Sequence, residues 1–361
     1  MYIYLIMLLP SLLFAKLASN VRPYPALKST YYTFAGLSFL PFAINSMLRG
    51  QVGTDWVIYD AYYYEISNGG RSFSEPLFNI LNRVLYAISH NSVLLFAVVG
   101  FLTLLFFFIA IFQQSEMIAY SILLFFLTGK YFSSLNQIRQ MLAMSIFFFA
   151  FRYIREKRPK RYFFWIFVAY LIHSSSVIYV PFYFLYGIRY STKRLTILAF
   201  VYCLCLPAVS LLAPALVGLT SYSWYLDSRF DQSNFDIVGF TVSLLIFCFH
   251  LILLRRRERI EDNIAAIETE RKDGFMTMIC LFSCLLYLLT NAVPQVTRVA
   301  ESYSVIQILS LPNLVKKERN VRFQATVLCV VAGIFACKLI YNVYSTQWWY
   351  GVLPYHTFFY E

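Results

Sequence analysis

Long apolar segments follow one another along almost the whole chain, and this pattern restricts what the chain can fold into. Of the 361 residues, 60% are hydrophobic and only 13% are charged, and the mean hydropathy is +0.62. Soluble domains rarely exceed half apolar residues, whereas long apolar stretches indicate membrane spans. Because one span takes about 20 residues, we predict an all-α polytopic membrane protein with about 12 transmembrane helices, within a range of about 10 to 12.

The apolar segments that we predict as spans have uneven lengths. The sixth and seventh are short, so they could form a broken or re-entrant helix pair around the polar run His173–Ser176. We expect a single integral membrane domain over residues 1–361, without a soluble catalytic domain. The predicted spans are 1–17, 30–48, 92–112, 117–132, 137–154, 161–172, 174–187, 195–217, 237–254, 274–291, 298–314 and 322–341.

The basic residues divide unequally between the two sides of the membrane that these spans define. If the connections alternate, one side collects 22 of the 30 lysines and arginines, including the runs at 152–161, 255–272 and 316–322, and Lys338 lies inside a span. The positive-inside rule makes that side cytoplasmic and both termini external. The other side keeps seven basic residues, namely Arg49, Arg71, Arg83, Lys130, Arg139, Arg229 and Arg298.

The connection at 49–91 is the longest on the external side, and it is rich in large aromatic side chains. A flexible linker would be rich in glycine and serine, so we expect this loop to fold back as short interfacial helices. Interfacial anchoring alone would account for tyrosines such as Tyr59 and Tyr62. Gly50 and Gly53 allow a tight turn that could bring Arg49 and Asp55 together over a shared cavity.

Two further arginines lie at the outer ends of apolar helices. Arg139 belongs to the motif NQIRQ, which also contains Asn136 and Gln140. A charge in such a place is costly unless it snorkels, is paired, or faces a polar cavity. Arg298 has Glu301 one turn later, and the two could form a local i,i+3 pair.

A guanidinium binds phosphate oxygens through two hydrogen bonds, so outward arginines favour a diphosphate ligand. A lipid-linked diphosphate in the outer leaflet would suit this arrangement, with loop aromatics stacking on sugar rings. The seven cysteines form no ligand pattern and His173 has no second histidine at ligand spacing, so we predict no metal and no cofactor. The net charge of +12 follows the membrane topology, so we predict no nucleic-acid partner.

Several motifs together resemble the EpsG-like family of Wzy-type exopolysaccharide and O-antigen polymerases. They are RGxVGTDWxxY after the second span, NQIRQ at the head of a later span, HSSS after KRPKRY, an arginine before an aromatic span near the end, and a terminal LPYHTF. The resemblance implies a metal-independent membrane glycosyltransferase with a GT-C-like helical arrangement. Its substrates would be undecaprenyl-diphosphate-linked oligosaccharides, used as donor and acceptor on the external face of the bacterial cytoplasmic (inner) membrane.

The resemblance also implies roles for particular residues. It carries over the family's arginines to Arg49, Arg139 and Arg298, and its acidic and histidine positions to Asp55 and His173. A sugar hydroxyl needs a base as it reacts, and we predict that Asp55 is this base. The rival candidate is His173, whose ordinary pKa suits proton transfer better. Asp55 could instead orient the acceptor, or simply pair with Arg49. We assign substrate contacts to Tyr59, Tyr62, Asn136, Gln140 and Glu301, together with the three arginines.

Other functions fit a chain of this composition less well. A lipid-linked oligosaccharide flippase predicts charged residues along a path through the bilayer and often two repeated halves, and no internal repeat is visible. A polysaccharide acyltransferase would need its histidine near the cytoplasmic side. An O-antigen ligase would share both donor and fold. A chain-length regulator protein is a further expected partner of a polymerase.

Overall fold

The computed structural model describes residues 1–70, 72–219, 223, 226, 235–258, 264–345 and 351–360, and within these ranges the chain is built from helices. Arg71, Arg229, residues 259–263 of one basic connection and residues 346–350 of the aromatic tail lie outside the described residues. The helices are α1 (Tyr2–Val21), α2 (Lys28–Met47), α3 (Trp56–Ser67), α4 (Pro76–Ile88), α5 (Val93–Gln114), α6 (Ile118–Leu127), α7 (Lys130–Asn136), α8 (Ile138–Arg155), α9 (Pro159–Ile172), α10 (Val180–Leu185), α11 (Thr192–Gly218), α12 (Ile237–Glu258), α13 (Ile264–Tyr287), α14 (Val296–Ser304), α15 (Gln307–Lys316) and α16 (Val321–Ser345).

Five of these helices are long and apolar enough to cross a membrane, and a sixth span results if the bent pair α6 and α7 counts as one. The five are α1, α5, α11, α12 and α16. Gly129 has a φ of +82° at the break in the pair, where the chain bends by 54°. The prediction of an all-α membrane protein is confirmed for the described residues, whereas the count of about twelve spans and the GT-C-like arrangement stay predictions.

The chain packs as two compact units, each described here by itself. Unit 1 contains residues 1–184 and 335–361, and unit 2 contains residues 185–334. The single membrane domain expected over 1–361 stays a prediction.

In unit 1, α1 and α2 pack closely because small residues line the face between them. The buried positions of α1 recur every three or four residues and include Ser11, Ala15 and Ala18, which is the periodicity of one helix face. Ser11 Oγ donates to the carbonyl of Ser38 on α2 at 2.6 Å, and Ser38 Oγ donates to the carbonyl of Ser11 at 2.9 Å. Such small and hydroxyl side chains let helices approach in an apolar medium.

The helix α8 lies at the centre of unit 1. Its residues from Met141 to Phe151 are buried on every side, as expected for a helix that is apolar all round. Arg139, in its first turn, is only partly buried. The burial of α8 therefore fixes the position of the one charged side chain at its amino end.

The predicted external loop 49–91 contains two helices, α3 and α4, which pack onto the core of unit 1. Trp56 stacks on Phe96 of α5, with ring centroids 3.5 Å apart. Tyr59 and Tyr63 are buried, so two of the tyrosines expected at the interface instead belong to the protein core. The location of this loop relative to the membrane stays a prediction.

The sixth and seventh predicted segments form a reversal of the chain at His173. The helix α9 ends at Ile172, His173 is extended, and a 3-10 helix follows over Ser174–Tyr179. The hydroxyl of Tyr162, in the first turn of α9, donates to the carbonyl of Tyr179 at 2.7 Å. The two short arms therefore run back along each other and place His173 and Ser174 at the tip.

In unit 2, α12, α13 and α15 are joined by a buried polar contact. His250 Nε2 lies 2.7 Å from Ser310 Oγ, and Cys280 Sγ lies 3.7 Å from the same nitrogen. His250 Nδ1 lies 2.9 Å from the carbonyl of Ile246. Both ring nitrogens of this histidine are therefore engaged, which agrees with leaving His250 out of the candidate site.

Candidate active site

The turn after α2 is held by the C-terminal segment of the chain. The amide of Gly50 donates to the carbonyl of His356 at 3.0 Å, and the amide of Phe358 donates to the carbonyl of Leu48 at 3.1 Å. A Cβ atom at Gly50 would lie 2.7 Å from the Cα atom of Phe358. The motifs RGxVGTDW and LPYHTF, which are about 300 residues apart in the sequence, thus meet through backbone contacts that require glycine at position 50.

Arg49 lies wholly inside this arrangement, with none of its surface exposed. Its Nη1 donates to the carbonyl and to the Oγ of Ser46, both at 2.8 Å. Among the described residues, its Nε and Nη2 have no hydrogen-bond partner. The partners of Arg49 do not include Asp55, so the local pair considered from the sequence is not the arrangement observed.

Aromatic side chains surround this buried guanidinium. It lies 5.5 Å from the ring centroid of Phe96, and its electrostatic neighbours are the hydroxyls of Tyr4, Tyr131 and Tyr355. Tyr355 also donates to the carbonyl of Asn45 at 2.7 Å, which fixes the C-terminal segment over the site. Arg49 could reach a ligand only after this segment moves.

The second half of the turn contacts the motif NQIRQ. Gly53 has a φ of +107°, and a Cβ atom there would lie 2.9 Å from the carbonyl oxygen of Leu135. The Oδ1 atom of Asn136 accepts hydrogen bonds from the amide of Asp55 at 2.8 Å and from the hydroxyl of Thr54 at 3.2 Å. Asn136 therefore supports the start of α3. The sequence analysis predicted a substrate contact for this residue. Asp55 is the half-buried residue at that start.

A buried carboxylate, Glu75, joins the remaining motifs. Arg139 Nη1 lies 2.9 Å from its Oε2, to which Ser74 Oγ also donates at 2.9 Å. The backbone amide and the hydroxyl of Ser174 both donate to Oε1 at 3.1 Å, and His173 Nδ1 lies 3.5 Å from the same oxygen. Glu75 thus connects the predicted external loop, the head of α8 and the tip of the α9 reversal.

These contacts determine the charge of Glu75. Burial raises the pKa of its carboxyl group, but the neighbouring imidazole of His173, the charge of Arg139 and the hydrogen bonds from Ser174 and Ser74 outweigh that effect. The net result is a pKa well below the ordinary value. Glu75 is therefore an anion at neutral pH, although only about a twentieth of its surface is exposed.

Aromatic rings flank Arg139 on the side of the external loop. Its guanidinium lies 3.7 Å from the ring centroid of Phe73, a cation–π distance. Tyr62 stacks on Phe73 with centroids 4.2 Å apart and is half-buried, so part of it remains available to a ligand. Tyr59 lies further away and is buried, so it is a packing residue in this structure.

The structure brings together some of the sequence-predicted residues and separates others. Arg139 and His173 meet at Glu75. Gln140 is buried in α8. Arg298 and Glu301 lie on α14, which belongs to unit 2.

Sequence reasoning did not assign a role to Glu75. Its place in the sequence SEP, directly before a helix, indicates a helix start and nothing more. The partners that give Glu75 its importance are 64 and 99 residues away, and no local pattern reveals contacts at that distance.

A carboxylate, an imidazole and a guanidinium in contact allow acid–base chemistry beside an anion. A carboxylate 3.5 Å from Nδ1 can accept a hydrogen bond from that atom after a small ring rotation, which would leave Nε2 as the atom that exchanges a proton. The Nε atom of Arg139 is buried and has no hydrogen-bond partner among the described residues. The arrangement can therefore move a proton on one side and bind negative charge on the other.

Comparison with known proteins agrees with the motifs. The sequence model of the EpsG family matches residues 32–357, a range that includes the motifs discussed above except for Phe358, the last residue of LPYHTF. No curated protein and no solved structure matches the chain. The family match indicates a membrane protein of the polysaccharide-polymerase type. Since the match extends over most of its length, this chain belongs to the EpsG family.

Proposed function

We propose that this protein is a polysaccharide polymerase that joins undecaprenyl-diphosphate-linked repeat units at the outer face of the bacterial cytoplasmic membrane. The observation that carries the proposal is the contact of Arg139, Glu75 and His173, which come from three separate segments that the charge pattern predicts to be external. A donor and an acceptor that are both lipid-linked need a site beside the membrane, and these segments flank apolar helices.

The reaction forms one bond and breaks one bond. The hydroxyl oxygen of the acceptor sugar bonds to the anomeric carbon of the donor, and the bond from that carbon to the diphosphate oxygen breaks. Undecaprenyl diphosphate leaves with the electron pair, and the hydroxyl proton passes to a base. We prefer His173 to Asp55 as this base, because Glu75 Oε1 lies 3.5 Å from its Nδ1 and would stabilise the imidazolium that forms.

Arg139 would stabilise the negative charge that develops on the leaving diphosphate. Glu75 and Phe73 hold its side chain in place, so little reorganisation is needed as the charge develops. Such preorganised donors commonly contribute about 3 kcal/mol each. We assign the same ligand to Arg49, after displacement of the C-terminal segment, and to Arg298 on unit 2.

Asp55 is the rival base, or it orients the acceptor. The two assignments are separated by Asp55→Asn and His173→Ala, with His90→Ala as the control, because His90 is an exposed histidine in the same predicted external loop. We expect His173→Ala to abolish polymer, and Asp55→Asn to reduce it less. Normal polymer from His173→Ala, with none from Asp55→Asn, would move the role of the base to Asp55.

The class of function is tested by deleting the gene and analysing the surface glycan. Loss of a polymerase leaves single repeat units on the surface. Loss of a flippase leaves none, and loss of a ligase leaves polymer on the lipid carrier. We expect single repeat units, and either of the other two patterns would contradict the proposal. A chain-length regulator as partner would be indicated by a change in polymer length on its removal, with polymerisation itself retained.

A further inference from the structure

The segment 72–75 supplies groups that contact Arg139, yet it has no regular secondary structure. It lies between the end of α3 and the start of α4. Gly69, which has a φ of +77°, and Gly70 come shortly before it, and glycines give a backbone wide conformational freedom. Residues outside helices and strands also lack the regular main-chain hydrogen bonds that hold a conformation. The position of this segment therefore depends on contacts with side chains.

The side chain of Asn79, near the start of α4, makes such a contact with the main chain of Phe73. Its Oδ1 accepts a hydrogen bond from the amide of Phe73 at 3.1 Å, and its Nδ2 donates to the carbonyl of Phe73 at 2.6 Å. The main-chain amide of Asn79 also donates to the carbonyl of Glu75, at 3.3 Å. Asn79 therefore ties both ends of the tripeptide from Phe73 to Glu75 to the helix that follows it.

Both ends of this tripeptide contact the guanidinium of Arg139. The ring centroid of Phe73 lies 3.7 Å from the guanidinium carbon, and Glu75 Oε2 lies 2.9 Å from Nη1. A ring and a carboxylate that are two residues apart keep their relative position only while the main chain between them keeps its conformation. The contacts of Asn79 with that main chain therefore act on Arg139 through two neighbours.

We propose that Asn79 is a positioning residue of the candidate active site, which sets the orientation of Arg139 through Phe73 and Glu75. Arg139 then meets the leaving diphosphate in a fixed orientation, and little reorganisation is needed as charge develops. A misplacement of about 1 Å can cost about a hundredfold in rate. The effect on the rate rests on the proposed function, whereas the positioning of Arg139 by Asn79 does not.

Two substitutions test the effect on the rate of polymer formation by the purified protein from lipid-linked repeat units. Asn79→Ala removes both side-chain contacts with Phe73 and should slow the reaction about tenfold to a hundredfold. Asn79→Asp keeps the acceptor, but an ionised carboxylate cannot donate to the carbonyl of Phe73, whereas a protonated carboxyl group can. The rate of Asn79→Asp, divided by the wild-type rate at the same pH, should therefore rise as the pH falls from about 8 to about 5. A wild-type rate in Asn79→Ala, or a ratio for Asn79→Asp that does not change with pH, would overturn the role in the reaction.

Thermal unfolding in detergent tests the positioning without an assay of activity. Asn79→Ala should lose less stability in the Arg139→Ala protein than in the wild type, because part of its effect passes through Arg139. Asn91→Ala is the matched control, since this exposed asparagine also accepts from a main-chain amide, that of Val93 at 2.9 Å, and it should lose the same stability in both proteins. Equal losses for Asn79→Ala in the two proteins would overturn the inference. A smaller loss in the Arg139→Ala protein, together with undiminished polymer from Arg139→Ala, would support the positioning and contradict the proposed function alone.

Discussion

At the scale of single residues, the charge of Glu75 and the orientation of its partners depend on one another. Ser174 and Ser74 donate to the carboxylate, Arg139 balances its charge, and His173 Nδ1 lies 3.5 Å from its Oε1. Removing one member of such a buried group leaves its partners with unsatisfied hydrogen bonds, which costs more than the contact itself contributes. The effect of a substitution here should therefore exceed that of an exposed ion pair such as Arg158–Glu156.

We predict that Glu75→Gln lowers the stability of the protein at neutral pH and removes part of its pH dependence. The lowered pKa of Glu75 means that the ionised form stabilises the fold fully above about pH 4.5, the value of the unfolded group. This contribution is lost as the pH falls through the lower pKa of the folded protein. At pH 7 the loss should be about 1.5–3 kcal/mol, the usual range for hydrogen bonds to a charged group.

Thermal unfolding in detergent between pH 7 and pH 3 measures this effect. The difference between the wild type and Glu75→Gln should be constant down to about pH 4.5 and should shrink at lower pH. A difference that grows as the pH falls would contradict the assignment of a lowered pKa. Glu65→Gln is a suitable control, because this residue is exposed in the same loop.

We predict that Arg139→Lys fails to restore the polymer that Arg139→Ala abolishes. Lysine keeps the charge, but it lacks the planar group that stacks on Phe73 and donates to Glu75 in a fixed geometry. The loss of one preorganised donor corresponds to about 3 kcal/mol, or roughly a hundredfold in rate. Glycan length on gels measures the effect, with Arg83→Ala as the control, since Arg83 is exposed on α4. Full activity of Arg139→Lys would mean that a positive charge at this position is sufficient for polymerisation, without the planar guanidinium.

The residue scale also shows where sequence reasoning succeeds. Arg139 could be singled out because a charge in the first turn of an apolar helix needs a partner, and His173 because it opens a polar run between apolar segments. Neither argument identifies the partner, because Glu75 is brought to them by the packing of α4 and the α9 reversal. Arg49 was predicted to contact a ligand, but it is completely buried. The C-terminal segment contributes Tyr355 to its surroundings, and no local sequence pattern reveals that this segment lies there.

At the scale of secondary-structure elements, the C-terminal segment and the turn at 48–53 behave as one folded piece. Three backbone hydrogen bonds join them, including that from the amide of Gly53 to the carbonyl of Gly351 at 2.9 Å. The hydroxyl of Tyr4 on α1 donates to the carbonyl of Val352 at 2.7 Å. The segment therefore covers Arg49 and ties the start of the chain to its end.

We predict that Gly50→Ala releases this segment. The new Cβ atom would lie 2.7 Å from both the backbone nitrogen and the Cα of Phe358, and backbone atoms cannot move aside as a flexible side chain can. Hydrogen exchange of the peptide that covers residues 351–360 should become at least tenfold faster. Gly36→Ala is the matched control, because nothing lies within 4 Å of the added atom. Unchanged exchange in Gly50→Ala would show that the turn can adapt.

Helix positions follow from the sequence better than helix contacts do. The predicted span 92–112 corresponds to α5, and the predicted span 195–217 lies within α11, because both are continuous apolar runs. The predicted spans 117–132 and 298–314 are each divided, at Gly129 and around Val305. Mean hydropathy does not detect such breaks, since a glycine or one turn of irregular backbone hardly changes the average.

At the scale of the whole molecule, the distribution of charge is the property that links the sequence to the function. The basic runs at 152–161, 255–272 and 316–322 are separated along the chain from Glu75, Arg139 and His173 by apolar helices. The positive-inside rule predicts that these basic runs are cytoplasmic and that the candidate active site is external. Helix packing within each unit does not determine this orientation, because the same packing is compatible with both orientations in the membrane.

Cysteine labelling determines the orientation of the protein in the membrane. Five of the seven native cysteines are exposed and would react with the label, namely Cys203, Cys205, Cys248, Cys329 and Cys337. Single cysteines must therefore be introduced into a cysteine-free protein that still makes polymer. We predict that a membrane-impermeant maleimide labels Asn68→Cys in intact spheroplasts, and labels Lys160→Cys and Arg255→Cys only after permeabilisation; all three positions are exposed. The physical reason is that translocating the six basic residues at 152–161 is far less favourable than retaining them. Labelling of Lys160→Cys before permeabilisation would place Glu75, Arg139 and His173 on the cytoplasmic side, where nucleotide-activated sugars are made. Repeat units that have already crossed the membrane could then not be polymerised at this site.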